Sequence, residues 1–261
     1  MGRELLSGNI VKTLSTLVLF SLFALPSAVA AGSNASPAPM GGTFFSVDVP
    51  QNVLDTKLFG IDGKPITLGQ YKGKYVVLGS FLTSCQEICP MTSVNMLAIA
   101  NAIKKAKLSI SVKVLEVSVD PERDTAKRLK AYQGLFNDYS WTIAGGTESN
   151  LRALWKFFGV SANKEMYSAA DLKDLPVDWQ TGKKNAFDIV HTDEIAIISP
   201  DQKWAWLDLG NPDIKKNTVP DKLKAFLGAQ GIKNIAQPEQ PSWNTTAVTA
   251  ALSQLLNKKI G

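Results

Sequence analysis

This chain of 261 residues has little of the usual crosslinking and ligating chemistry: two cysteines and a single histidine. Two cysteines exclude a disulfide-rich scaffold. With one imidazole and two thiols, no clear fourth donor exists for a structural zinc site, which normally takes four protein ligands. Long apolar runs are also missing. The best candidate, Leu14 to Leu25, is shorter than the roughly 20 residues that a membrane-spanning helix needs. Nor is there a basic stripe interleaved with aromatics. The lysines are scattered among acidic neighbours, as in Asp171-Leu172-Lys173-Asp174, which reads as a solvated surface and excludes nucleic acid as a partner.

What is present begins with an export signal over residues 1–30. Arg3 and Lys12 carry positive charge, the run Leu14 to Leu25 closes at Pro26, and Ala28-Val29-Ala30 has the A-x-A form of a cleavage site. Its removal takes away Arg3, Lys12 and Glu4, so the net charge falls from +5 to +4. No cysteine stands near the cut to accept a lipid, and membrane association is expected only if this segment is retained. The expected location is the periplasm or the extracytoplasmic face of a membrane. That is an oxidising address, but a fold of this size needs no staple. A disulfide across so short a spacing would also constrain little of the unfolded chain. The cysteines are therefore read as chemical rather than structural.

Residues 31–43, rich in Gly, Ala, Ser and Pro, read as a flexible leader. One domain is expected over residues 44–233, followed by a linker and short helix over residues 234–261. Val53 to Phe59 and Pro65 to Thr67 flank the turn Ile61-Asp62-Gly63-Lys64 and predict an N-terminal hairpin. Lys74 to Leu82 and Ser111 to Val119 are nearly continuous apolar runs, the mark of strands buried on both faces. Helices are predicted over Pro90 to Lys107, Thr125 to Phe136, Asn150 to Phe158 and Pro220 to Gly228. A short strand is expected at Trp141 to Ile143, and a late hairpin from Ile195 to Ser199 and Lys203 to Leu209. Asn244 is placed to cap a terminal helix with Val248, Ala251, Leu252 and Leu255 on one face. Strands alternating with helices predict an α/β fold, a thioredoxin-like mixed sheet flanked by helices with a C-terminal helical extension.

The two cysteines stand together in Thr83-Ser84-Cys85-Gln86-Glu87-Ile88-Cys89-Pro90, where the first core strand enters a helix. Open α/β sheets hold ligands at such places. A helix N-terminus favours thiolate and lowers the pKa of at least one cysteine. Lowered pKa serves metal binding and thiol exchange alike. Redox motifs of the thioredoxin type have two residues between the cysteines, and here there are three. Two thiolates suffice for Cu(I), and an added imidazole makes a set that also accommodates Cu(II). The imidazole, His191, is expected in a loop just before the apolar strand Ile195 to Ile198. Asp188 or Asp193 could orient it.

Cys85 to Pro90 with the preceding Thr83-Ser84, the segment Val117-Ser118-Val119-Asp120-Pro121-Glu122-Arg123-Asp124-Thr125, and Val190-His191-Thr192 together resemble the Sco/SenC family. The resemblance covers about residues 48 to 228. It implies a thioredoxin-like copper chaperone that delivers copper to a partner such as subunit II of cytochrome c oxidase, at the CuA centre. It further implies Cys85, Cys89 and His191 as copper ligands, with Asp120 to Asp124 in a loop beside them. This chain has Gln86-Glu87 where the family commonly has Pro-Asp between the cysteines. A thiol–disulfide oxidoreductase is the competing class: Cys85 and Cys89 would be the redox pair, Cys85 attacking and Cys89 resolving. A thioredoxin-like reductant would then be a second partner. A peroxidase is more distant, because the setting around a single peroxidatic cysteine is missing.

Overall fold

The computed structural model describes residues 41–168, 175–215 and 217–260. The expected export signal and nearly all of the leader lie outside the described residues, as does the stretch 171–174.

The apolar run after Lys74 becomes strand β4, buried along almost its whole length as its composition requires. In chain order the first elements are β1 (Thr43–Asp48), α1 (Gln51–Leu54), β2 (Leu58–Gly60) and β3 (Pro65–Ile66), then β4 (Tyr75–Phe81). The middle of the chain gives α2 (Cys89–Lys105), β5 (Val112–Ser118), α3 (Ala126–Gly134), β6 (Thr142–Gly146) and α4 (Glu148–Phe158). A two-stranded ribbon follows, β7 (Ala162–Met166) with β8 (Phe187–His191), then β9 (Glu194–Ile198) and β10 (Lys203–Leu209). The last segment holds β11 (Asn211–Pro212), α5 (Asp221–Lys224), α6 (Ala229–Ala236), β12 (Pro241–Trp243) and α7 (Thr245–Leu256).

Among the described residues the main sheet has eight strands in the order β1-β10-β9-β4-β5-β6-β2-β3. β4, β5 and β6 run parallel, β9 pairs antiparallel with β4, and β10 pairs antiparallel with β9. The core order β5-β4-β9-β10, with α2 as the crossover between β4 and β5, is the thioredoxin-like arrangement that the alternation of elements predicts. Side-chain caps fix the helix starts. Thr125, Thr147 and Asn244 accept hydrogen bonds from the backbone N–H groups of Arg128, Asn150 and Ala247. Helix α4 ends on Gly159 at φ +82°, the left-handed conformation that suits glycine.

Four expectations are corrected. The N-terminal hairpin forms, but only as β2 with β3; Val53 and Leu54 belong to the short helix α1, where both are buried. Strand β1 starts at Thr43, the last residue of the expected leader, and pairs with β10. The helix expected over residues 220–228 is broken: α5 stops at Lys224, and Gly228 caps a separate helix, α6. The break falls where the Gly228 N–H is spent on the carbonyl of Gln86 rather than on a helical partner. His191 is the last residue of strand β8 rather than part of a loop.

The terminal helix α7 docks. Val248, Ala251 and Leu252 are fully buried, and Tyr75 Oη donates to the Leu255 carbonyl at 2.8 Å. Its first turn is tied to α2, because the N–H and hydroxyl of Thr245 both donate to Asn95 Oδ1, at 2.9 and 2.7 Å.

Candidate functional site

The sheet brings the distant motifs to one end. β4 and β9 are antiparallel neighbours, with Val76 opposite Ile198 and Gly79 opposite Ile195. The end of β4, which feeds the cysteines, therefore meets the start of β9, which follows His191. β5 runs parallel to β4, so its exit loop, Asp120 to Asp124, opens at the same end.

Cys85 lies in the turn before α2, half-buried, and Cys89 is the first helical residue, with no exposed surface. Cys85 Sγ accepts hydrogen bonds from the N–H groups of Ile88 and Cys89, both at 3.4 Å. Pro90 occupies the first turn, where its missing N–H costs nothing. The thiols differ sharply in acidity. A hydrogen bond from the Cys89 thiol, helped by these backbone N–H groups, lowers the Cys85 pKa against the opposing effect of burial. Burial, the hydrogen bond to Cys85 and its nearby charge push Cys89 well above the usual thiol value. Cys85 is thus the more acidic thiol of the pair and Cys89 the less acidic one.

His191 reaches Cys89 from the other chain segment, with Nε2 3.5 Å from Cys89 Sγ. Its Nδ1 lies 3.0 Å from the Thr192 carbonyl, which can only accept, so Nδ1 carries a proton. In the neutral ring that leaves the Nε2 lone pair aimed at sulfur. The backbone carbonyl, not Asp188 or Asp193, orients the ring. Asp193 Oδ1 is 3.9 Å from Nε2, and burial raises the Asp193 pKa while the His191 charge opposes it.

The donors fit a soft ion. A sulfur and a nitrogen bound to one ion at about 2.3 and 2.1 Å, at tetrahedral to trigonal angles, lie roughly 3.6–3.8 Å apart. The 3.5 Å between Cys89 Sγ and His191 Nε2 is close to that span. Among the described residues, no group of three or more His, Cys, Asp or Glu side chains is already gathered for a metal. The three donors are instead linked in pairs: the Cys89 N–H donates to Cys85 Sγ at 3.4 Å, and Cys89 Sγ lies 3.5 Å from His191 Nε2.

The Asp120 to Asp124 loop acts as scaffold for the cysteine turn. Buried Asp124 accepts from the Thr83 N–H at 3.2 Å and from the hydroxyls of Thr83 and Ser118. Burial raises its pKa to about 6, reinforced by Asp120 and opposed by those donors. Arg128 Nε donates to Thr83 Oγ1, and its Nη2 donates to Asp178 Oδ2 at 2.6 Å. Burial acts to raise the Asp178 pKa, but hydrogen bonds from Arg128 and Thr181 prevail and hold it at about 2. Trp179 Nε1 donates to the Thr83 carbonyl at 2.7 Å. Asp178, Trp179 and Arg128 were not singled out from sequence, since nothing local marks residues 83, 128 and 178 as neighbours.

In front of the thiols opens a cleft of about 510 Å³ lined by Cys85 and His191, with Glu87, Asp188, Asp193 and Glu239 among its walls. Burial raises the Glu87 pKa, and the Asp188 and Glu239 carboxylates add to the effect. The mouth of the site is acidic.

Comparison with known proteins gives a family match over most of the chain. The family model described as SCO1/SenC matches residues 54–227. The mitochondrial SCO1 homolog 1 of Arabidopsis thaliana is 33% identical over 123 residues, 46% of this chain and 32% of that protein. The chain thus matches about a third of that relative's length, and likewise of a Bacillus subtilis SCO1 protein homolog. Among solved structures, Arabidopsis thaliana ScoI with copper bound is 21% identical, covering 71% of this chain and 94% of that one, with a TM-score of 0.45. Bradyrhizobium japonicum ScoI with copper bound is 24% identical over 69% of this chain and 99% of that one, with a TM-score of 0.46.

Proposed function

The chain belongs to the SCO1/SenC family, and on that premise we propose that it is an extracytoplasmic copper chaperone whose metal-binding groups are Cys85, Cys89 and His191. The observation that carries the proposal is the approach of His191 Nε2 to Cys89 Sγ at 3.5 Å across 102 residues of sequence. The cargo is copper, which suits two sulfurs and one imidazole in either oxidation state. Cys85, the more acidic thiol, engages the incoming ion first, both cysteines give up their protons on binding, and the preset lone pair of His191 completes the set. The recipient supplies competing soft donors, and the copper passes to it by ligand exchange. The CuA centre of cytochrome c oxidase subunit II is the proposed destination. The acidic mouth favours a recipient whose docking face is basic.

A second reading rests on the unequal thiols. A half-buried, more acidic thiol, Cys85, beside a buried, less acidic one, Cys89, is also the arrangement of a dithiol that reduces a partner's disulfide. The two roles are compatible, because only the dithiol form accepts metal.

His191→Ala separates them. Cu(II) affinity is expected to fall at least tenfold, with the thiolate-to-copper charge-transfer absorption weakened at limiting copper, while disulfide exchange with a small disulfide continues. Unchanged Cu(II) binding would remove His191 from the site. A wild-type protein that reduces disulfides quickly and retains no copper on dialysis would leave the oxidoreductase reading alone.

A further inference from the structure

Gly231 stands inside helix α6, where helix propensity favours almost any other residue. Its reason for being glycine is contact: a Cβ there would lie 2.1 Å from the carbonyl oxygen of Gln86. The helix backbone is pressed against the loop between the two cysteines. Three further contacts hold the same loop. The Gly228 N–H donates to the Gln86 carbonyl at 3.0 Å, and Asn234 Nδ2 donates to the Glu87 carbonyl at 3.4 Å. From the other side, Gln86 Nε2 donates to the Val177 carbonyl at 2.8 Å. Asn234 is itself aimed by Gln230, whose Nε2 donates to Asn234 Oδ1 at 2.9 Å. Every one of these α6 residues lies C-terminal to the span that matches the family model, which ends at residue 227.

We infer that α6 is a clamp on the inter-cysteine loop, with Gly231 and Asn234 as positioning residues that hold Cys85 and Cys89 in the open dithiol arrangement. This rests on the reading of the two cysteines as the working pair. Neither positioning residue touches sulfur; both act through the carbonyls of Gln86 and Glu87. Closing a disulfide requires the two sulfurs to come to about 2.05 Å, which drags the residues between them. The clamp contacts belong to the dithiol form, so they favour it over the disulfide and keep the pair ready to receive metal.

The test uses the metal-free full chain equilibrated with glutathione and glutathione disulfide. In that reaction the Cys85 and Cys89 thiols release two protons and two electrons to become one disulfide, and one glutathione disulfide becomes two glutathione thiols. Gly231→Ala and Asn234→Ala are expected to favour oxidation by about threefold to tenfold, the scale of one or two lost hydrogen bonds. That corresponds to a potential roughly 15–30 mV more negative. Ile232→Ala, half-exposed on the same helix, should match the wild type. If Gly231→Ala does not fold, Asn234→Ala carries the test. An unchanged or reversed constant in folded Asn234→Ala would overturn the clamp. A shifted constant in a protein that binds no copper would sustain the clamp and remove the chaperone reading instead.

Discussion

Single residues in this protein are held in protonation states that water would not choose. Glu116 is fully buried in β5, where Ser93 Oγ lies 2.7 Å from Oε1 and Trp141 Nε1 donates to Oε2 at 2.9 Å. Burial raises its pKa to about 8, against the effect of those two hydrogen bonds. At neutral pH it is the protonated acid, paired with Ser93 and accepting from Trp141. The unfolded carboxyl loses its proton near the ordinary value, so the unfolded state gains on the folded one as pH rises from about 4.5 to about 8. Glutamine can make the same two hydrogen bonds without a proton to lose. Glu116→Gln should therefore gain stability relative to wild type by about 1 kcal/mol per pH unit across that window. Thermal unfolding of both proteins at pH 5 and pH 8 checks this, and a pH-independent difference would contradict it. Near the thiols the same principle makes Cys85 the more acidic and Cys89 the less acidic of one pair, through hydrogen bonding and burial.

At the scale of elements, the strands and helices of the core were legible from sequence because each satisfies its own local rule. β4 and β5 are continuous apolar runs, and α7 begins at a capping asparagine with its apolar stripe in place. The ribbon of β7 and β8 was not legible: β7 is exposed along its whole length, so no alternation of apolar residues marks it. The break between α5 and α6 was hidden for another reason. It depends on a carbonyl at residue 86, far outside any local window. The docking of α7 on α2 gives a test at this scale. Leu252 is fully buried, and Leu252→Ala is expected to cost about 2–5 kcal/mol. Urea unfolding should show that loss as a single shifted transition. A separate early transition for α7 would show that the helix is only loosely attached.

For the whole molecule, the decisive fact is topological. Antiparallel pairing of β4 with β9 and parallel pairing of β4 with β5 deliver three sequence motifs to one end of one sheet. Cys85, Cys89 and His191 were legible as a trio because the chain has no other thiols or imidazole to offer. Their scaffold and clamp were not, since Asp178, Gly231 and Asn234 are ordinary residues until folding places them. Copper-edge X-ray absorption of the Cu(II)-loaded protein tests the shared site most directly. One site made by these three side chains predicts two sulfur neighbours and one imidazole, with the imidazole scattering lost and both sulfurs kept in His191→Ala. Fewer than two sulfurs in the wild type, or a spectrum unchanged by His191→Ala, would contradict it.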